Sequence, residues 1–242
     1  MQKIGLISDV HACEDSLRAV LKNIVERGVG EIFCLGDIVG YGPDPGSCVE
    51  SIRKVAKVSV LGNHDAMAVA RGFPLGDLPN AISLPLVRAR EELDEAQRDW
   101  LENLPLVVRG QGFEACHGSL DAPALFTHIK GRREVGRHFR SQREGVSFFG
   151  HTHMTAVYHS SPDGRLRTAK GVGQFVLSEP GIYAVGVGSV GFPRDEDPRP
   201  CWVEFAPASR TITFHRVDAD HRGRDERIRT LLNRDPDQRA VF

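Results

Sequence analysis

The stretch "LISDVHACEDSLRAVL", residues 6–21, decides how the chain is read. An apolar run over 3–8 ("KIGLIS") stops at Asp9 and His11, and the apolar spacing then changes. Leu17, Val20, Leu21, Ile24 and Val25 recur at the i, i+3, i+4, i+7, i+8 positions of one helix face. A buried strand therefore gives way to an amphipathic helix across a polar turn, and Gly28 and Gly30 end the helix. The alternation repeats. "EIFCL" (31–35) reads as a strand, and "PGSCVESIRKVA" (45–56) as a helix with Asp44 as N-cap and Pro45 at its first position. "KVSVL" (57–61) is a third strand. Strands separated by helices in this order imply parallel pairing and an α/β layer.

Working outward, residues 79–104 look helical in two pieces, "DEAQRDWLENL" being the second. "LVVR" and "FEACH" read as two strands joined at 110–112, and 130–143 is basic and mostly polar. After the strand "VSFFG", residues 154–217 carry short strands and glycine turns, ending in the hairpin "PCWVEFAPASRTITFHRV". "RDERIRTLLNR" is a short amphipathic helix before a polar tail. No repeat or low-complexity linker interrupts the pattern, so one domain is expected over 1–242. The segments 79–104 and 120–143 are expected as helical excursions near the functional site.

A chain of 242 residues with 40% hydrophobic and 26% charged residues has an ordinary globular composition, so it needs no covalent staples. The five cysteines, Cys13, Cys34, Cys48, Cys116 and Cys201, are scattered, odd in number and never spaced C-x-x-C. That favours reduced thiols over disulfides or a zinc ribbon. A net charge of −1 gives no global field toward nucleic acid or anionic lipid. Nucleic acid stays open through a local groove but is not favoured. No apolar run is long enough to span a membrane, and a cytoplasmic protein is expected.

Chemistry collects at the strand ends. Asp9 and His11 follow the first strand, Asp37 the second, and Asn63, His64 and Asp65 the third. His117 ends "FEACH", and His151 and His153 follow "VSFFG". Taken singly, each residue has an ordinary explanation as a cap, a turn or a hydrogen-bonded histidine. Five strand ends bearing oxygen or imidazole donors do not, because open α/β sheets bind ligands at their carboxyl edges. His151 and His153, two apart in extended chain, are expected to point the same way. Four imidazoles, two carboxylates and one amide suit borderline divalent metals such as manganese, iron, cobalt or zinc better than magnesium or calcium. Seven donors exceed what one ion needs with room left for substrate, so two ions sharing a bridging Asp37 are expected. With a bridging hydroxide, such a centre keeps a net positive charge and attracts phosphate.

The ordered motifs "SDVH", "GDIVGYGPDP", "GNHD", "HGS" and "GHTH" resemble the calcineurin-like metallophosphoesterases. The nearest branch is the small phosphodiesterases related to the YfcE type. The resemblance runs from residue 4 to about 217. It implies a four-layer metallophosphatase fold: a β-sandwich flanked by helices, with a dimetal site at the carboxyl ends of the strands. It also implies one ion on Asp9, His11, Asp37 and His153, and another on Asp37, Asn63, His117 and His151. Two divalent transition-metal ions are expected, manganese first, with iron, zinc, cobalt or nickel as alternatives. A bridging hydroxide would attack phosphorus in line. His64 matches the histidine that binds substrate phosphate and protonates the leaving group, with Asp65 orienting it and Asn63 beside the substrate.

Departures cluster around the substrate. Ala12-Cys13 stands where the family has Gly-Asn, and Phe192 where Gln is common. Cys13 is a poor cap and is kept out of the chemistry. Arg194 is assigned to substrate binding; Arg194 and Arg199 either grip a second phosphate or pair with Asp195 and Asp197. The basic run Lys130–Arg143 reads as a solvated helix face. His128, His138, His159, His215 and His221 carry no motif and no role. The expected activity is a phosphodiesterase of small phosphorylated substrates. A dinucleoside polyphosphate hydrolase and a phosphomonoesterase are the alternatives within the class, and a non-catalytic scaffold is the alternative outside it. A homo-oligomer stays open. A nucleotide-binding module is excluded, since neither G-x-G-x-x-G nor a P-loop occurs.

Overall fold

The structure, a computed structural model, describes residues 2–70, 72–110 and 112–232. The expected polar tail lies outside the described residues. In chain order the elements are β1 (Ile4–Ile7), α1 (Glu14–Glu26), β2 (Glu31–Cys34), α2 (Pro45–Val55), β3 (Val58–Ser59), α3 (Asn63–Val69), α4 (Asn80–Glu92) and α5 (Glu95–Glu102). They continue with β4 (Val107–Gly110), β5 (Phe113–Cys116), a 3₁₀ turn (Pro123–Leu125), α6 (Arg132–Ser141), β6 (Val146–Phe149), β7 (Thr155–Ser160) and β8 (Leu166–Lys170). β9 (Gln174–Val176), β10 (Ile182–Val187), β11 (Cys201–Ala206), β12 (Thr211–Arg216) and α7 (His221–Leu232) complete it.

The strands form two six-stranded sheets, ordered β3-β2-β1-β11-β12-β9 and β4-β5-β6-β10-β7-β8. In the first, β1, β2 and β3 are parallel, as the alternating sequence requires, and β11 joins β1 antiparallel with Leu6 opposite Val203. In the second, β5, β6 and β10 are parallel.

Period-two alternation turns these sheets into four layers. Ile4 and Leu6 of β1, Phe33 of β2 and Val203 and Phe205 of β11 meet Phe113, Phe148 and Val185 of the second sheet in one core. The opposite faces belong to other cores. Ile7, Ile32, Cys34 and Trp202 pack with Leu17, Val20 and Ile24 of α1 and Val49 and Ile52 of α2. Cys116, Phe149 and Ala184 pack with Val135 of α6. Each fully buried Val, Leu, Ile or Phe among these contributes about 1.5–3 kcal/mol. The chain is a β-sandwich flanked by helices, as expected.

Several expectations need adjustment. The third strand keeps only two residues in β3. The "GNHD" stretch, read as a strand-end loop, starts the seven-residue helix α3, whose Ala66, Met67 and Ala68 are good helix formers. The expected helices at 79–104 are α4 and α5, both packed on α3. Cys13 occupies the N-cap of α1 without a side-chain cap bond, while Glu14 and Asp15 favour the helix dipole. Asp44 caps α2 by position, but its carboxylate pairs with Arg227 of α7. Arg132, Arg133 and Arg140 of α6 and the flanking Lys130 and Arg143 are exposed, which leaves this stretch with a solvated basic face. No helix among the described residues is long and apolar enough to cross a membrane.

Candidate metal centre

Five of the candidate donors sit on backbone that turns the wrong way for ordinary residues. Asp9, His11, Asp37, His151 and His153 have φ of 53°, 48°, 53°, 61° and 59°, in the left-handed region. Neighbouring loops hold them there. Asp9 N donates to Gly36 O (3.0 Å), His11 N to Asp37 O (2.9 Å) and Ala12 N to Ile38 O (2.8 Å). A side chain on Gly62 would collide with Asp37 N at 2.1 Å, so only glycine lets these loops meet. The conformation corrects one expectation: His151 and His153 are not extended and do not share a target.

Two separate donor clusters result, Asp9, His11 and His153 forming one and Asp37, His117 and His151 the other, and a third group, His11, Asp37 and His64, overlaps both. In the first, His153 Nε2 lies 3.3 Å from Asp9 Oδ1 and 3.0 Å from His11 Nε2. In the second, His117 Nε2 lies 3.2 Å from Asp37 Oδ2, 3.1 Å from His151 Nδ1 and 3.2 Å from Asn63 Oδ1. Asp37 joins them, since Oδ2 is also 3.7 Å from His11 Nε2 while Oδ1 accepts from His64 N at 2.8 Å.

The ring tautomers test whether a cation fits. Nδ1 of His11, His117 and His153 donates to the carbonyls of Val39 (3.1 Å), Leu35 (2.7 Å) and Phe192 (2.6 Å). The neutral rings of His11 and His153 then present a bare Nε2 lone pair, while His117 Nε2 faces Asp37 Oδ2. Facing lone pairs of His11 and His153 repel unless a cation lies between them, and their spacing suits neighbouring ligands of one ion. The donors present fit borderline divalent ions.

Charge within the cluster follows from burial and from the neighbouring groups. Burial lowers His11 well below the usual histidine range, His151 to about 2 and His153 to about 3. It raises Asp9 to about 7. Asp37 is different: burial pushes it up, but the rings of His117, His64 and His11 outweigh that and hold it well below the carboxylate range. Burial pulls His117 down, yet Asp37 lifts it to about 9. His117 is therefore the protonated partner of an ionised Asp37.

His64 lies beside both clusters, its ring 4.8 Å from that of His11. Its Nδ1 is buried without a partner, close against Gly40. Asp65 does not orient it. The Asp65 carboxylate accepts from the amides of Ile38 (2.8 Å), Val39 (3.0 Å) and Gly62 (3.1 Å), so it braces the loop that carries Asp37. Burial lowers the His64 pKa, against the expected protonated ring. Cys13 points away: its thiol donates to His11 O (3.3 Å), and burial raises it to about 12.

Around the clusters the structure adds residues that the sequence did not mark. Tyr41 places its ring 4.5 Å from His11 and 4.7 Å from His64, and its hydroxyl accepts from Arg194 Nη2 at 3.3 Å. Its only signal was an aromatic between two glycines. His128, for which there was no signal, lies with its ring 3.7 Å from that of His151. Arg199 forms ion pairs with Asp197 and Asp218, while Arg194 pairs with no carboxylate among the described residues.

Comparison with known proteins gives this arrangement a family. Residues 2–206 match the calcineurin-like phosphoesterase superfamily domain. An uncharacterised protein of Methanocaldococcus jannaschii is 30% identical over 244 residues, covering 97% of this chain and 94% of that one. The crystal structure of a metallophosphoesterase from Sphaerobacter thermophilus has a TM-score of 0.82 at 30% identity, covering 96% and 97% of the two chains. A symmetrical bis(5'-nucleosyl)-tetraphosphatase of Actinobacillus pleuropneumoniae is 25% identical over 166 residues, 65% of this chain and 58% of that enzyme. With the family model spanning most of its length, the chain belongs to the calcineurin-like phosphoesterase superfamily.

Proposed function

We propose that the protein is a metal-dependent phosphoric ester hydrolase of small substrates, a phosphodiesterase first. The observation that carries this is the pair of buried donor clusters joined through Asp37. Asp9, His11, Asp37 and His153 would hold one divalent transition ion, and Asp37, Asn63, His117 and His151 a second; manganese is the first choice. Bound there, the ions would supply positive charge for the phosphoryl oxygens and an activated nucleophile at neutral pH.

The chain's own residues do the rest. His64 Nε2 is the ring atom left open, because Nδ1 is buried against Gly40. It would bind a phosphoryl oxygen and donate its proton to the leaving group. A phosphate beside the ring adds the negative charge that favours its protonated form. Asp65 serves indirectly, through the loop it braces. Arg194, steadied by the Tyr41 hydroxyl, would take a non-bridging oxygen at the rim. Donors from both sheets form this one centre, so we treat the chain as one functional domain. Five buried free cysteines favour the reducing cytoplasm.

A second reading, hydrolysis of dinucleoside polyphosphates, is favoured by Arg194, which pairs with no carboxylate among the described residues, and by the tetraphosphatase relatives. Metal analysis with a manganese-supplemented panel tests both readings. The panel contains p-nitrophenyl phosphate, bis-p-nitrophenyl phosphate and a dinucleoside tetraphosphate. Two ions per chain with manganese-stimulated diester turnover is expected. Preference for the tetraphosphate selects the second reading, and neither metal nor turnover leaves a scaffold.

A further inference from the structure

Helix α7 spans His221–Leu232, beyond residue 206 where the family match ends, yet it reaches the donor loops. The side chain of its Arg224 is only 13% exposed. Nη1 donates to the Gly191 carbonyl at 2.7 Å, and the guanidinium stands 5.4 Å from the centre of the Phe192 ring.

Both contacts fall on the loop that follows β10, and that loop serves one donor cluster. Gly191 N (2.9 Å) and Ser189 Oγ (2.8 Å) donate to the Asp9 carbonyl. The Phe192 carbonyl fixes the His153 ring through Nδ1 at 2.6 Å, and the Phe192 ring meets His11 edge-on at 5.8 Å. The side-chain hydrogen bonds of Asn63, His117 and His151 run to other partners, and His151 touches this half only through its backbone N, which donates to the Asp9 carboxylate at 3.0 Å. Arg224 thus grips the two residues that orient Asp9, His11 and His153.

We infer that Arg224 is a positioning residue for the Asp9–His11–His153 half of the centre, and that α7 is part of the functional unit. The inference rests on the dimetal reading above. A planar guanidinium both donates along its edge and packs on an aromatic face, which an ammonium does less well. Releasing it frees the Phe192 carbonyl to shift, and with it the ring that presents the His153 lone pair.

The test is a manganese titration of the metal-free full-length chain, counted calorimetrically, for wild type, Arg224→Ala, Arg224→Lys and Arg227→Ala. Outer partners of metal-binding histidines are worth about 10–100-fold in affinity, so Arg224→Ala should weaken one binding step about tenfold and spare the other. Arg224→Lys should fall between. Arg227, which pairs with Asp15 and Asp44 instead, controls for helix docking, and its loss should leave both steps unchanged. Two ions in wild type with both steps intact in Arg224→Ala would overturn this inference alone. Equal weakening of both steps, or the same change in Arg227→Ala, would overturn it too. Fewer than two ions in wild type would overturn the dimetal reading and this one with it.

Discussion

Two kinds of turn in this chain make an instructive contrast. The β11–β12 hairpin closes with one non-glycine residue in the left-handed region, Arg210 (φ 49°), and ladders of regular pairs run away from it. The loops at the donor edge carry Asp9, His11, Ala12, Asp37, Tyr41, His151 and His153 in that region. The conformation costs an L-residue roughly 1–2 kcal/mol. At the hairpin a single such cost closes a surface turn. At the donor edge the costs accumulate because buried polar side chains from distant parts of the chain must converge, and cross-loop hydrogen bonds hold them there. The contrast says where stability has been traded for chemistry.

The largest expected effect breaks the donor edge at its shared member. Asp37→Asn removes the charge that both clusters face, and metal analysis should find both ions lost and activity at background. Retention of one ion at wild-type affinity would show that the clusters are independent. Next is His64→Ala. General acid catalysis is worth about 10²–10⁴-fold, so alkyl phosphoesters should suffer that loss and p-nitrophenyl esters, with a good leaving group, far less. Equal losses on both would remove His64 from proton transfer.

A smaller effect concerns pH. A cation must displace the proton held by His117, whose pKa is raised to about 9. Manganese affinity should therefore climb as pH rises toward 9 and flatten above it, with about one proton released from His117 near pH 7 and about half a proton more from Asp9, itself raised to about 7. Titrations in buffers of different ionisation enthalpy read the proton directly, and no release would mean His117 is neutral. For folding without metal, the same raised pKa has the opposite sense. Its stabilisation is complete below the unfolded value of about 6.5 and fades as pH rises through 9.

The smallest effect compares strained with relaxed backbone. Ala12 and Ala89 are both fully buried, but only Ala12 is left-handed. Ala89→Gly in α4 should cost about 1.5–2 kcal/mol, a lost methyl plus helix propensity. In Ala12→Gly the relief of strain offsets those losses, and stability should change by less than about 1 kcal/mol. Equal destabilisation in urea unfolding would mean Ala12 carries no strain.

Much of this was legible in the sequence because it depends on local periodicity. The change from the β1 pattern to the α1 stripe, and the recurrence of donors after strands, needed no distant information. What failed depended on conformations that periodicity does not encode. Extended geometry was assumed for His151 and His153, whereas the left-handed bends send them to different clusters. Asp65 follows His64 in sequence, yet its carboxylate turns to the amides at 38, 39 and 62. Helix α3 was missed because its seven residues are too few for a stripe. Tyr41 and His128 reach the donors through tertiary contacts alone. Cys13 was left out on chemical grounds, and its buried thiol is bonded to the His11 carbonyl.

The pairing of β1 with β11 bears on the order in which the molecule can be built. During synthesis Asp9 and His11 emerge early, but the strand that must lie beside theirs, Cys201–Ala206, comes late. Until then Leu6 lacks Val203 across the ladder, and one edge of β1 stays unpaired. Such non-local pairing slows folding and leaves a tacky edge exposed meanwhile. A chain stopped short of residue 201 would keep β1 paired with β2 on one side only, until a strand translated long after it closes the other.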